Sequence, residues 1–340
     1  MLRFFILVLL SLTTLSCSDR KNDAGTIRSF YYWKSIFSLN GKEKEAINTL
    51  GIKKIYLRFF DVDWTDKPEP KGHVILKDSI PGSLQIVPVV YLTNRTLSHI
   101  QPHTLEILAD NITTSVKVFA KRNNVNFTEL QIDCDWSDKT RDKYFNLLRL
   151  IKSKLPLSCI LSATIRLHQV KYRNITGVPP ADRGMLMFYN MGQLKPSASR
   201  NSIWNKKDAE SYVAYTRKYP LPLDSTLPIF EWALQIRDGK IIDLLSKETL
   251  PDFTISDNFR MNKDKILAAE KSFYYQNKYI KEGDVFRMER VSGEDLEAAA
   301  KMLSHHLSTT PASVSLFDLD SKNFTDHDIE QLEEIFNYFN

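Results

Sequence analysis

Cysteine is scarce in this chain: Cys17, Cys134 and Cys159 are the only ones among its 340 residues. That is no disulfide framework, and the last two sit in apolar, strand-like surroundings, where buried free thiols are expected and no bond between them. Long runs of one charge sign are also missing. The 46 Lys and Arg and the 41 Asp and Glu are interspersed and leave a net charge of +5, so the charge pattern calls for no nucleic-acid partner. No G-x-G-x-x-G or P-loop follows any strand-like run, which removes the usual reason to expect an open nucleotide-binding sheet. Asp61, Asp63, Asp133 and Asp135 could offer oxygen ligands to a hard cation, but the calcium-loop pattern with its glycine is absent; no metal and no cofactor are expected.

What is present begins with a leader. Residues 1–16 carry one positive charge at Arg3, an unbroken apolar stretch from Phe4 to Leu10, and then small and polar residues, the layout of a secretory signal. Thr14-Leu15-Ser16-Cys17 resembles the lipobox of bacterial lipoproteins, in which the cysteine is acylated and becomes the mature N-terminus. The resemblance implies a lipid anchor on Cys17 and a cell-envelope location, with residues 17–26 as a tether. A plain signal peptide or an uncleaved anchor is the alternative.

Residues 27–340 are long enough for one elaborated α/β domain. Strand-like runs occur at Arg28–Ser35, Lys54–Trp64, Leu84–Leu92, Glu129–Asp135, Ile160–His168, Gly184–Gly192, Leu227–Leu234 and Ala312–Asp320. Helical spacing separates most of them, most clearly over Thr104–Arg122 and Lys139–Leu155. Residues 235–293 are too long for one connection and are read as an insertion between strands seven and eight, with helical stretches near Ile241 and over Asp264–Tyr275 and a strand-like Val285–Glu289. Eight strands alternating with helices predict a (β/α)₈ barrel; a monomer is expected.

The fourth strand organises the rest. Leu130, Ile132 and Cys134 alternate with Gln131, Asp133 and Asp135, so an extended backbone puts the apolar residues on one face and both carboxylates on the other. In a barrel, strand C-termini converge. Arg58, Asp61, Tyr91, Asp133, Asp135, Arg166, Tyr189, Asn190, Glu231 and Asp318 then become neighbours, with Trp232 beside them. Carboxylates with Tyr and Trp nearby suit glycoside hydrolysis, in which one acid protonates the leaving oxygen and another carboxylate attacks or activates water. The plainer reading makes Arg58 and Arg166 structural ion-pair partners of the acids, and Tyr189 and Trp232 core residues.

Leu130-Gln-Ile-Asp-Cys-Asp-Trp-Ser137, followed by Met187-Phe-Tyr-Asn190, resembles the chitinase-type glycoside hydrolase barrels, whose fourth strand carries D-G-x-D-x-D-x-E and whose sixth carries M-x-Y-D or M-x-Y-N. Asp133, Asp135, Tyr189 and Asn190 match. Leu130 replaces the first Asp, and Ser137 stands where the catalytic Glu would be. The chain is also similar to secreted bacterial barrel lipoproteins of unassigned function, which share the acidic fourth strand and the F-E-W of strand seven. The expected function is therefore action on carbohydrate, glycoside hydrolase-like, with Asp133, Asp135 and Glu231 as catalytic candidates and Arg58, Asp61, Tyr91, Arg166, Tyr189, Asn190 and Trp232 as substrate-binding ones. Glu231, between Phe230 and Trp232, is the expected proton donor. The competing expectation is a glycan-binding or scaffold lipoprotein that cleaves nothing.

Overall fold

A computed structural model describes residues 25–339, apart from 193, 198–199, 254–256, 262–266, 325–326 and the side chain of 248. The leader and Cys17 lie outside the described residues. Eight parallel strands pair in sequence order and close on themselves: β1 (Ile27–Tyr32), β2 (Lys54–Trp64), β3 (Gln85–Leu92), β4 (Glu129–Asp133), β5 (Ile160–Arg166), β6 (Arg183–Met187), β7 (Leu223–Pro228) and β8 (Ser313–Phe317). Closure is direct, with Ser29 of β1 beside Lys54 of β2 and Ile27 beside Ser313 of β8. This is the expected (β/α)₈ barrel.

Alternation sorts each strand into two faces. Outward residues such as Leu130, Ile132, Leu161, Ala163 and Ile165 are fully buried, in one apolar cluster with Leu108, Ile112 and Val116 of the helix Leu105–Arg122 and Leu147, Leu148 and Ile151 of the helix Arg141–Lys154. Gly184 permits close approach in β6, because a Cβ there would stand 2.7 Å from Ile165 Cγ1 and 3.0 Å from Leu223 Cδ2. The inward faces are unusually polar. Lys54 Nζ lies 3.3 Å from Glu129, Ser162 donates to Glu129 at 2.7 Å, and Tyr31 donates to Gln131 at 2.5 Å. These buried polar groups thereby find partners along the barrel axis, which offsets the cost of burying them, although the hydroxyls of Tyr56, Ser225, Thr226 and Ser315 are buried without one among the described residues.

Three expectations need correction. Leu227–Leu234 is not one strand: β7 is Leu223–Pro228, and Glu231–Arg237 opens a second, antiparallel sheet. Strand five stops at Arg166, where the backbone N–H donates to Gln169 Oε1 at 2.8 Å and a short helix, Leu167–Lys171, begins. The insertion is built of strands: Val285–Arg290 is one, as expected, but the stretch near Ile241 and the described part of Asp264–Tyr275, expected as helices, are strands too. Its sheet runs in the order Lys240–Leu245, Glu231–Arg237, Val285–Arg290, Leu267–Ala269, Phe259–Met261, beside a hairpin of Phe273–Tyr275 and Lys278–Ile280. The turns explain the difference: Asp238 and Gly239 take φ of 48° and 69°, and Gln276 and Asn277 take 45° and 62°, the left-handed pairs that two-residue hairpins require. The insertion has a small apolar core of its own, around Ala233, Leu245, Leu267 and Phe286.

Candidate active site

The C-terminal ends of the strands and the insertion enclose a cavity of about 1330 Å³. Tyr91 from β3, Asp133 and Asp135 from β4, Arg166 from β5, and Tyr189 and Asn190 from the segment after β6 line it, and so do Glu231 and Trp232 from the insertion. Most of the expected site is thus brought together. Arg58 and Asp61 are not part of the lining: a register shift between Arg58 and Phe60 lets them pair with each other, Arg58 Nε to Asp61 Oδ1 at 2.7 Å. Asp63 is likewise taken up by Arg95 and Thr93, whose bonds hold its carboxyl down at about 2.

At the centre stands a two-carboxylate, one-cation cluster. Asp133 is buried and accepts from Thr164 Oγ1 at 2.6 Å, while the Arg166 guanidinium lies 3.9 Å away. Arg166 Nε donates to Asp135, which is half exposed. Burial raises the Asp133 carboxyl above its ordinary range; Arg166 and Thr164 oppose the rise, and Asp135 adds to it. Burial acts the other way on Arg166, but the two carboxylates outweigh it and hold the guanidinium firmly protonated. The Tyr91 phenol is pushed up to about 12, first by burial and then by Asp133 and Asp135. Tyr189 rises further for the same reason, tempered by Arg166.

Aromatic rings surround this cluster. Phe317 at the end of β8 is the hub, with ring centroids 5.6 Å from Trp33, 5.6 Å from Tyr189 and 5.8 Å from Phe230. Phe230 in turn lies 5.4 Å from Trp232, whose indole N–H donates to Glu289 at 2.9 Å. Such rings present flat apolar faces at the edge of a polar centre.

No family model matches the sequence, and no curated protein matches it either. Solved structures do match. A chitinase-like agglutinin from Robinia pseudoacacia superposes with a TM-score of 0.53 at 14% identity, over 91% of this chain and 99% of that one. A mutant of the GH18 chitinase from Cycas revoluta in complex with (GlcNAc)4 gives 0.51 at 13% identity, over 93% and 100%. The spore cortex-lytic enzyme SleL of Bacillus cereus gives 0.52 at 11%, over 92% and 74%. The fold is that of the chitinase-type barrels.

Within that fold the departures in β4 have visible consequences. Leu130 points outward into the apolar layer and is fully buried there. Ser137 does not line the cavity; its backbone N–H donates to Thr140 Oγ1 at 2.9 Å, and Thr140 donates onward to Asn94 at 2.6 Å. It shapes the turn before the helix Arg141–Lys154. Glu231 lines the cavity but stands opposite Arg290 across the antiparallel pair, so its surroundings are not only apolar.

Sequence reasoning missed Trp33, Phe230 and Phe317 as lining groups, and also Lys247. Lys247 reaches out of the insertion to the fully buried Asp318 just past β8, which also accepts from Asn323 Nδ2 at 3.1 Å. The aromatic signal was readable, because Trp33, Phe230 and Phe317 all sit at or just past strand ends. A lysine in a loop carries none. Among the described residues no three His, Cys, Asp or Glu are grouped to hold a metal ion. Cys134 and Cys159 are both buried and free.

Proposed function

We propose that this protein acts on carbohydrate by taking a glycan into the mouth cavity, and that binding is its primary activity. One observation carries the proposal: the barrel side of a single cavity joins Trp33, Tyr189, Phe230 and Phe317 to the Asp133–Arg166–Asp135 cluster. Rings stack on the C–H faces of sugars, and the carboxylates, guanidinium and phenols meet the hydroxyls. The fold's likeness to a chitinase, a chitinase-like agglutinin and a cortex-lytic enzyme supports the same class. Binding is favoured over cleavage because Ser137 occupies the acid's place and Arg166 already engages Asp135. Titration calorimetry with (GlcNAc)4 and a panel of other oligosaccharides tests it. Trp33→Ala and Asp135→Asn should each weaken binding about tenfold or more, the order of one lost stacking or charge-assisted contact; a protein that binds none of the panel refutes the proposal.

Glycoside hydrolysis is the second reading, favoured by the presence of Glu231 in the same cavity as Asp133 and Asp135. It would make Glu231 the proton donor and an aspartate its partner. Product analysis decides: cleavage that Glu231→Gln abolishes, with binding retained, establishes it. We further propose that the protein is a monomer held at the cell envelope by acylated Cys17. The support is the apolar leader ending in Leu15-Ser16-Cys17.

A further inference from the structure

The two walls of the cavity differ in chemistry. The barrel wall offers carboxylates, a guanidinium, phenols and flat rings; the insertion wall has polar groups as well, Ser246, Lys247, Asp252 and Arg290 among them, but it adds an apolar stretch of Leu244, Leu250, Phe253, Phe259, Leu267 and Met288. Branched aliphatic and thioether side chains neither hydrogen-bond a hydroxyl nor present a flat face to a pyranose. A sugar pressed against them would leave hydroxyls unpaired.

Part of that wall is the insertion's own core seen from outside. Phe253 lies 4.7 Å from Phe259 and 5.3 Å from Phe286, and Leu267 is nearly buried among them. Met288 has no such excuse. It sits in mid-strand on the face shared with Glu231 and Arg290, and it is 40% exposed. Leu250 similarly packs on that core from the edge of the cavity. Size points the same way, because about 1330 Å³ exceeds the roughly 300–1,000 Å³ of ordinary small-molecule pockets. A sugar on the barrel side leaves the apolar side unfilled.

We propose that the ligand is an amphiphilic glycoconjugate, with a saccharide head against the Asp133–Arg166–Asp135 cluster and an acyl or alkyl chain along the insertion wall. The inference rests on the carbohydrate reading above and adds the class of ligand. Methionine and leucine suit a chain, since both adapt to an unbranched hydrocarbon without a fixed stacking geometry.

The test is calorimetry of the full chain with methyl, butyl and octyl β-D-glucosides and the matching N-acetyl-β-D-glucosaminides, all below their micelle concentrations, with octanoate as the chain without a sugar. One fully buried methylene contributes about 0.8 kcal/mol, or about fourfold in Kd. The octyl glycoside of at least one series should therefore bind at least about tenfold tighter than its methyl counterpart, which requires burial of only two methylenes. In Leu250→Gln and Met288→Gln, each checked for an unchanged melting transition, the octyl-to-methyl ratio should fall toward one. Equal binding of methyl and octyl glycosides overturns the amphiphile proposal and leaves the carbohydrate reading standing. A ratio that survives both substitutions also overturns it, because the chain then lies elsewhere. Octanoate binding as tightly as the octyl glycosides overturns the amphiphile proposal, because the sugar head then contributes nothing. Absence of binding in both series overturns the amphiphile proposal, and the oligosaccharide panel then decides the carbohydrate reading by itself.

Discussion

Arg166→Met is the substitution whose consequence follows most directly from the site. At 3.9 Å from Asp133, and with an effective dielectric of about 20, the guanidinium contributes about 4 kcal/mol of attraction. Its bond to the half-exposed Asp135 adds about 1 kcal/mol at most, because solvent screens it. Methionine keeps the length of the side chain and removes the charge, leaving Asp133 buried with the Thr164 hydroxyl as its remaining stabilising contact among those described above. The sign of the pH dependence follows from linkage. Burial already places the folded Asp133 pKa above its unfolded value of about 3.9. Between those two values the native state binds the proton and the unfolded chain does not. Stability from this group is therefore full below the unfolded pKa and is lost as pH rises through the folded one. Removing Arg166 raises the folded value further, so the deficit of the variant grows with pH. We expect a loss of about 3 kcal/mol at pH 8 and about 1 kcal/mol at pH 5, where proton uptake by Asp133 relieves the buried charge. Urea denaturation at both pH values measures this, with m-values compared to verify the same transition. In an Asp133→Asn background the cost of Arg166→Met should shrink and lose its pH dependence. Equal losses at pH 5 and pH 8, or an undiminished cost in that background, would show that the Arg166–Asp133 pair is not what holds the site together.

Lys247→Met leaves the fully buried Asp318 without its cation and should cost about 3 kcal/mol, felt first in the insertion; limited proteolysis should then cut within 231–290 faster than in the parent, and an unchanged digest refutes the role. Gly184→Ala pushes a methyl into Ile165 and Leu223 and should cost about 1–3 kcal/mol by urea midpoint, with no loss meaning that β6 can move outward. Cys17→Ala should release the protein from membranes on fractionation; a variant that stays bound, with no lipid on the parent by mass spectrometry, contradicts the anchor.

How far the sequence was legible depended on which face of a strand carried the signal. Outward faces packed under helices alternate cleanly, and so β2 to β5 and the helices Leu105–Arg122 and Arg141–Lys154 stand close to where periodicity puts them. The acidic end of β4 was legible for the same reason, since Leu130 and Ile132 fix the register and thereby turn Asp133 inward. Inter-strand partners were not. The plainer reading pairs Arg58 and Arg166 with the acids, and so they stand; which acid each one takes has no signature in alternation, since a bulge in β2 gives Arg58 to Asp61 while Arg166 reaches both Asp133 and Asp135. In the insertion the decisive signal was local turn chemistry. Asp238-Gly239 flanked by Ile236 and Ile241 marks a hairpin, and apolar spacing alone misreads it as helix.

The displacement of strand seven shows how polar residues inside a barrel mislead, and it bears on function. Leu223-Asp224-Ser225-Thr226 lies before the expected strand, yet it is barrel strand: Asp224 pairs with Arg183 at 2.9 Å and accepts from the Ser313 backbone N–H at 3.0 Å, and both interactions are long-range. Leu227-Pro-Ile-Phe-Glu-Trp-Ala-Leu234 reads as one apolar strand, yet Pro228 ends β7 and the chain enters the second sheet three residues later, at Glu231. A proline, lacking an N–H, fits the last position of a strand and not its middle. The functional consequence falls on Glu231. On a barrel strand it would be held by the same rigid wall as Asp133; on the insertion it is held by Arg290's strand and by whatever fixes the insertion to the barrel, among which the Lys247–Asp318 pair and the bonds from Ser202 to Glu289 are prominent. A proton donor must keep its position against its partner carboxylate to within a fraction of an ångström. Glu231 would have to meet that requirement from the insertion, while the place that the chitinase-type pattern gives to the acid, just past β4, is held by Ser137. Both facts weigh on the side of a barrel that grips a glycan over one that cuts it.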